Sequence, residues 1–191
     1  LKNPFVMSLG TIEELNPLIV KITDDDGRSG WGEAAPSPPI LGENFGTVRS
    51  IINEIAPQLV GKSPLRIENL VSLMDKTIYG NTAAKASLDI ALHDLLGKIR
   101  EKPLWKTLGG AHQETIETDY TVTIDEPDVM AETALNLVKE GFRAIKVKVG
   151  EGPKKDVARL GKIRKAVGKE VSLRIDANQG WTRQEAVSSL K

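Results

Sequence analysis

No cysteine occurs among the 191 residues, which excludes disulfides, thiolate nucleophiles and cysteine-ligated zinc and leaves the redox compartment open. Charge of one sign is missing too. Lys plus Arg number 26 and Asp plus Glu number 26, so the chain lacks the basic footprint of a nucleic-acid binder, and aromatics that could stack bases make up only 4%. No apolar run approaches the ~20 residues of a membrane span. The opening Leu1-Lys2-Asn3-Pro4-Phe5 has no signal-peptide core and no initiating methionine, so the true N-terminus is expected upstream. What remains is a soluble globular chain compatible with the cytoplasm, long enough for one or two domains with a substantial core.

The first hundred residues read as a small α+β unit. Pro17 to Thr23 and Ser29 to Ala34 are strand-like runs joined by Asp24-Asp25-Asp26-Gly27-Arg28, where Asp-Gly supplies a hairpin turn. The Asp triplet lacks the spaced oxygen ligands of a calcium loop and reads as a solvated turn. Pro36-Ser37-Pro38-Pro39 reads as a loop. Amphipathic helices are expected from about Thr47, from about Leu65, and from Thr82 to Leu96 with Gly97 as the stop. His93, in the third helix, reads as a surface or packing residue.

From Ile116 the rhythm becomes strand, helix, strand, helix, strand, helix. Strands are expected near 116–124, 143–149 and 171–176 and helices near 127–140 and 153–167, with a last helix opening near Thr182. Alternation at this spacing implies a parallel sheet. The basic residues between Lys154 and Lys169 read as the wet face of the second of these helices. Gly150-Glu151-Gly152 is followed by no phosphate-binding signature.

Within these strands the side chains separate by chemistry. Successive residues of a strand point to opposite faces, so Ile145, Val147 and Val149 share one face while Lys146 and Lys148 share the other. Val171, Leu173 and Ile175 alternate likewise with Ser172, Arg174, Asp176 and Asn178, and Tyr120, Val122 and Ile124 with Asp119, Thr121 and Thr123. An open parallel sheet keeps both faces apolar, whereas a barrel places functional side chains inward at the C-terminal ends of its strands. Lys146, Lys148 and Asp176 fit the barrel. The bland alternative is that both lysines snorkel from an edge strand and Asp176 caps the next helix.

The run Ile145-Lys146-Val147-Lys148-Val149-Gly150, with Leu173-Arg174-Ile175-Asp176-Ala177-Asn178-Gln179-Gly180-Trp181, resembles the muconate-lactonizing subgroup of the enolase superfamily, most closely its dipeptide epimerases. The likeness extends to Gly30-Trp31-Gly32-Glu33-Ala34, the helix around Asp89, Leu108-Gly109-Gly110 and Glu117 to Val122. It implies an α/β fold: an N-terminal α+β capping domain over residues 1–110, its first strand missing, then the first three strand–helix units of a modified TIM (β/α) barrel over 111–191. The implied activity is a magnesium-dependent epimerase that removes the α-proton of a dipeptide carboxylate through an enolate, the superfamily being known for pairing a lysine or histidine base with magnesium.

In that reading Lys148 is an acid/base and Lys146 its catalytic neighbour, Asp176 is a metal ligand suited to Mg2+, and Thr121 and Asn178 contact substrate. Two further carboxylate ligands and a lysine for the opposite substrate face are absent from this chain, so the segment alone is expected to be inactive. No basic residue lies between Phe5 and Thr11, which argues against an Ala-Glu substrate. Muconate cycloisomerase or o-succinylbenzoate synthase chemistry is the alternative reaction, and a non-catalytic module binding a partner through its open sheet edge is the alternative class. The implied partners are a small dipeptide and, in the complete enzyme, copies of itself, with neither nucleic acid nor membrane.

Overall fold

Phe5–Met7 (β1) and Gly10–Ile12 (β2) pair as a short antiparallel hairpin in the computed structural model, which describes residues 1–110 and 115–190. Contacts divide the chain into two units, Leu1–Glu14 with Thr115–Lys191 and Leu15–Glu114. The first fourteen residues thus group with the later strands rather than with the helices that follow them. Local bonds explain this: Ile124 N–H donates to the Val6 carbonyl at 3.0 Å, and Ser8 Oγ donates to the Ala177 carbonyl. The division expected at 110/111 itself borders residues outside the described ones.

In the unit Leu15–Glu114, Leu18–Thr23 (β3) and Ser29–Ala34 (β4) form the expected hairpin, in register from Leu18 opposite Ala34 to Thr23 opposite Ser29. Asp24 closes its turn by accepting from the Asp26 and Arg28 amides at 3.1 and 2.8 Å. Pro38–Leu41 (α1) is a single helical turn where the proline run suggested a loop. Pro38 sits at its first position, where a missing N–H costs nothing, and left-handed Gly42 ends it.

The helices Phe45–Leu59 (α2), Ile67–Thr77 (α3) and Thr82–Ile99 (α4) follow, then the short Leu104–Thr107 (α5). Asn44 and Thr47 form a reciprocal capping box at the start of α2. Buried Glu43 receives the Ala83 amide at 3.0 Å, placing a carboxylate on the N-terminal end of α4. Helix α4 continues past Gly97, which is not the stop expected from the sequence. A Cβ there would lie 3.1 Å from the Lys102 carbonyl, so the glycine serves close approach rather than termination.

In the other unit the strands Asp119–Val122 (β5), Ala144–Lys148 (β6) and Ser172–Asp176 (β7) alternate with helices Pro127–Lys139 (α6), Pro153–Val167 (α7) and Arg183–Ser189 (α8). The strands form one parallel sheet in the order β5-β6-β7. Ile145, Val147 and Val149 are fully buried in a core with Val122, Met130, Ala134, Leu137 and Ile163, so the apolar face of the sheet packs on α6 and α7. Strand β5 is shorter than the 116–124 expected, beginning beyond exposed Ile116 and ending before Ile124, whose amide pairs with β1 instead of β6. Thr182 caps α8 through a box with Glu185. Among the described residues no helix is long and apolar enough to cross a membrane.

Candidate active site

Parallel register fixes which polar side chains meet on the face opposite that core. Thr121 pairs with Lys146 and Lys146 with Arg174, while Lys148 stands directly opposite Asp176 at the C-terminal ends of β6 and β7. Because the two lysines are one residue apart, both ammonium groups reach the same carboxylate. Lys148 Nζ lies 2.8 Å and Lys146 Nζ 2.9 Å from Asp176 Oδ2. Lys148 also donates to Asn178 Oδ1 at 2.6 Å, and the Asn178 amide donates to Asp176 Oδ1 at 3.0 Å.

The burial of the two lysines differs. The side chain of Lys148 is 7% exposed and that of Lys146 35% exposed, so a buried cation stands beside a half-buried one. Around Asp176 burial is the largest influence and works upward, but the hydrogen bonds from Lys148, Lys146 and the Asn178 amide outweigh it. They hold the carboxyl well below the usual carboxylate range. The Phe5 ring lies 5.6 Å from Lys148 Nζ, close enough for its negative face to attract the cation.

Backbone around this cluster is tightly held. Asn178 and Gln179 are non-glycine residues with φ of 43° and 65°, a conformation that persists only where surroundings impose it. Ser8 Oγ supplies part of that constraint by donating to the Ala177 carbonyl at 2.5 Å. A Cβ at Gly150 would come 2.6 Å from the Ala177 carbonyl and one at Gly180 2.6 Å from the Gly150 carbonyl, so the two loops approach as only glycine allows.

The structure therefore brings together Lys146, Lys148, Asp176 and Asn178, and sets Thr121 beside Lys146 on the neighbouring strand. The stretch from Phe5 to Thr11 was expected to face substrate, but the contacts of Phe5 with Lys148 and of Ser8 with Ala177 were not anticipated. Both residues reach the site across some 140 to 170 residues of sequence, and nothing local to them signals these contacts. As a donor, Asp176 is a hard carboxylate oxygen that fits magnesium as one ligand among several. Among the described residues no three His, Asp or Glu side chains gather to hold a metal.

Comparison with known proteins agrees with this fold. Residues 1–109 match the family model described as mandelate racemase / muconate lactonizing enzyme, N-terminal domain, and residues 129–191 match enolase C-terminal domain-like. The chain is 44% identical over its whole length to the D-Ala-D/L-Ala epimerase of Cytophaga hutchinsonii, covering 52% of that protein. It is 41% identical to the L-Ala-D/L-Glu epimerase of Clostridium acetobutylicum, covering 53%. A dipeptide epimerase from Enterococcus faecalis, crystallised with Mg and the dipeptide L-Leu-L-Tyr, superposes with a TM-score of 0.96 at 42% identity over the whole chain and 53% of its own. The chain spans about half the length of the relatives it matches.

Proposed function

This chain belongs to the mandelate racemase/muconate lactonizing enzyme family of the enolase superfamily, its fold matching the capping domain and the start of the enolase-type barrel, and from that premise we propose that the full-length protein is a magnesium-dependent dipeptide epimerase. The proposed division is a capping domain over 1–110, whose first fourteen residues group by contacts with the later strands, and the beginning of the barrel over 111–191. The observation that carries the reading is the convergence of Lys146 and Lys148 on one oxygen of Asp176.

Lys148 is the acid/base. To act as base it must first give up the proton it holds in the ion pair with Asp176; it then takes the α-proton of the dipeptide's C-terminal residue from one face, leaving an enolate and becoming again an ammonium group that can return the proton. Asn178 Oδ1, at 2.6 Å, fixes the direction of its Nζ. Lys146 keeps a positive charge beside the negative charge that develops, and Thr121 contributes a hydroxyl to substrate binding on the adjacent strand. Asp176 is one ligand of magnesium, which when bound supplies the positive charge that offsets the enolate. Delivery of a proton to the opposite face, required for inversion, belongs to a group that this reading places outside residues 1–191.

The test is a panel of L,L-dipeptides incubated in D2O with magnesium and the full-length protein. Loss of the α-proton signal accompanied by a diastereomer is the expected result. A panel with no exchange at any α-carbon would overturn the reading, and exchange without a diastereomer would move it to another reaction of the family.

A further inference from the structure

Asp156 and Arg159, on the first turns of α7, are both buried, at 0% and 7% exposure. Arg159 had read as part of a wet helix face, and its burial corrects that expectation. The reason is its partners: Nε donates to the Asp125 carbonyl at 3.0 Å, Nη2 to Glu151 at 2.6 Å and Nη1 to Asp156 Oδ1 at 3.4 Å. Oδ2 of Asp156 accepts from the Gly150 amide at 2.9 Å, the Gly152 amide at 3.2 Å and the Trp181 indole at 2.7 Å.

These bonds reach three loops. Asp125 lies in the loop after β5, Gly150 to Gly152 in the loop after β6, and Trp181 in the loop after β7. Each loop follows directly on a strand that carries a residue of the candidate site, Thr121 on β5, Lys148 on β6 and Asp176 on β7, and the last loop itself holds Asn178. We propose that Asp156 and Arg159 are positioning residues, which hold these three strand ends in the register that lets Lys148 meet Asp176 and Asn178. Their role rests on the reading of those residues as the site.

Three observations support positioning over bulk stabilisation. Packing of α7 on the sheet is already supplied by Ile163 and Leu160. A buried ion pair is often no more stabilising than apolar residues of similar volume, so its presence here is better accounted for by the directions it imposes than by energy. The left-handed backbone at Asn178 and Gln179 needs restraint from both sides, and Trp181 is anchored two residues beyond Gln179.

The experiment uses the full-length protein and the substitutions Asp156→Asn, which keeps the volume and removes the charge, and Arg159→Lys, which keeps a cation without the planar fork. Amide exchange is resolved by residue, and α-proton exchange of L-Ala-L-Ala is followed in D2O. The Gly150, Gly152 and Asn178 amides and the Trp181 indole proton are expected to exchange at least ~tenfold faster, while Ile145 and Val147 keep wild-type protection. For the dipeptide, kcat should fall at least ~tenfold with KM held within about twofold. Unchanged loop protection, or loosening that extends equally into Ile145 and Val147, would overturn the proposal. Arg159→Lys decides the matter if Asp156→Asn does not fold. A wild-type protein inert toward every dipeptide would remove the epimerase reading, and the amide data would still decide whether the pair holds the loops.

Discussion

Lys148 Nζ sits 2.8 Å from Asp176 Oδ2, the residue directly opposite it in the parallel register of β6 and β7. The buried cation and its carboxylate are thus placed by strand pairing rather than by a flexible loop. Replacing Lys148 by alanine leaves Asp176 paired with Lys146 at 2.9 Å, so no buried charge is stranded. In the full-length protein, Lys148→Ala should remove α-proton exchange from one substrate stereoisomer by at least about 100-fold while the circular dichroism spectrum stays native. Exchange at the wild-type rate in D2O would eliminate Lys148 as the base.

Asp176→Asn keeps the size of the side chain and removes the formal charge that a hard cation needs. Since even outer-shell partners of a metal matter by 10- to 100-fold, loss of a ligand charge should weaken magnesium binding by at least about tenfold. Isothermal titration of the full-length protein with magnesium checks this. Wild-type activity should disappear in EDTA and return with magnesium. An enzyme indifferent to the chelator would remove the metal role of Asp176.

Two glycines with opposite surroundings test the packing. A Cβ on Gly32 would lie 1.9 Å from the Ser87 carbonyl of α4, and neither backbone can yield, whereas Gly161 in α7 has nothing within 4 Å. Gly32→Ala should cost at least about 2 kcal/mol of stability through overpacking. By contrast Gly161→Ala should add up to about 1 kcal/mol through helix propensity. Urea denaturation of the two variants measures both signs.

Acid sensitivity should have a contribution from Asp94. Its Oδ2 accepts from Lys98 Nζ and from the Trp31 amide, both at 2.8 Å, tying α4 to β4. The Lys98 hydrogen bond is the main cause that holds this carboxyl below its ordinary value, ahead of burial, which opposes it. A depressed value means the stabilisation is complete above the unfolded pKa, about 3.9, and is lost as pH falls through the lower folded one. The pair is partly exposed and screened, so Asp94→Asn should cost less than about 1 kcal/mol at pH 7, and the difference should shrink progressively as the pH falls below the unfolded pKa. A difference that persists unchanged at pH 2 would show that the loss is not electrostatic.

How far these features could be read beforehand depended on distance along the chain. The alternation through Ile145 to Val149 and Val171 to Asp176 was sufficient to assign the faces, because side-chain direction in a strand is local. Helix starts at Pro127, Pro153 and Thr182 were legible for the same reason. The first hairpin was not, since β1 and β2 are three residues each and have too little pattern to detect. Arg159 was misread because its neighbours in sequence, Lys154, Lys155 and Lys162, are exposed cations, while the partners that bury it lie on other loops. Phe5 and Ser8 share that difficulty: their contacts exist only once the chain has folded.

A polypeptide limited to residues 1–191 should show no dipeptide epimerisation. It carries the paired lysines, but among the described residues Asp176 is the sole carboxylate in contact with them, and no three His, Asp or Glu side chains gather around a metal position. Magnesium needs near-octahedral oxygen coordination, and one carboxylate with water holds it weakly. The sheet adds a second obstacle. Among the described residues the sheet has the order β5-β6-β7, so β5 and β7 are both edges, and the polar face that bears Lys146 and Asp176 has three of the roughly eight strands that close a barrel. Purified residues 1–191 should therefore bind magnesium no better than millimolar and leave the α-proton of L-Ala-L-Ala unexchanged at saturating magnesium, while the full-length protein exchanges it. Robust turnover from a monodisperse sample of the segment would show that the two lysines and Asp176 need no ligands or strands beyond residue 191.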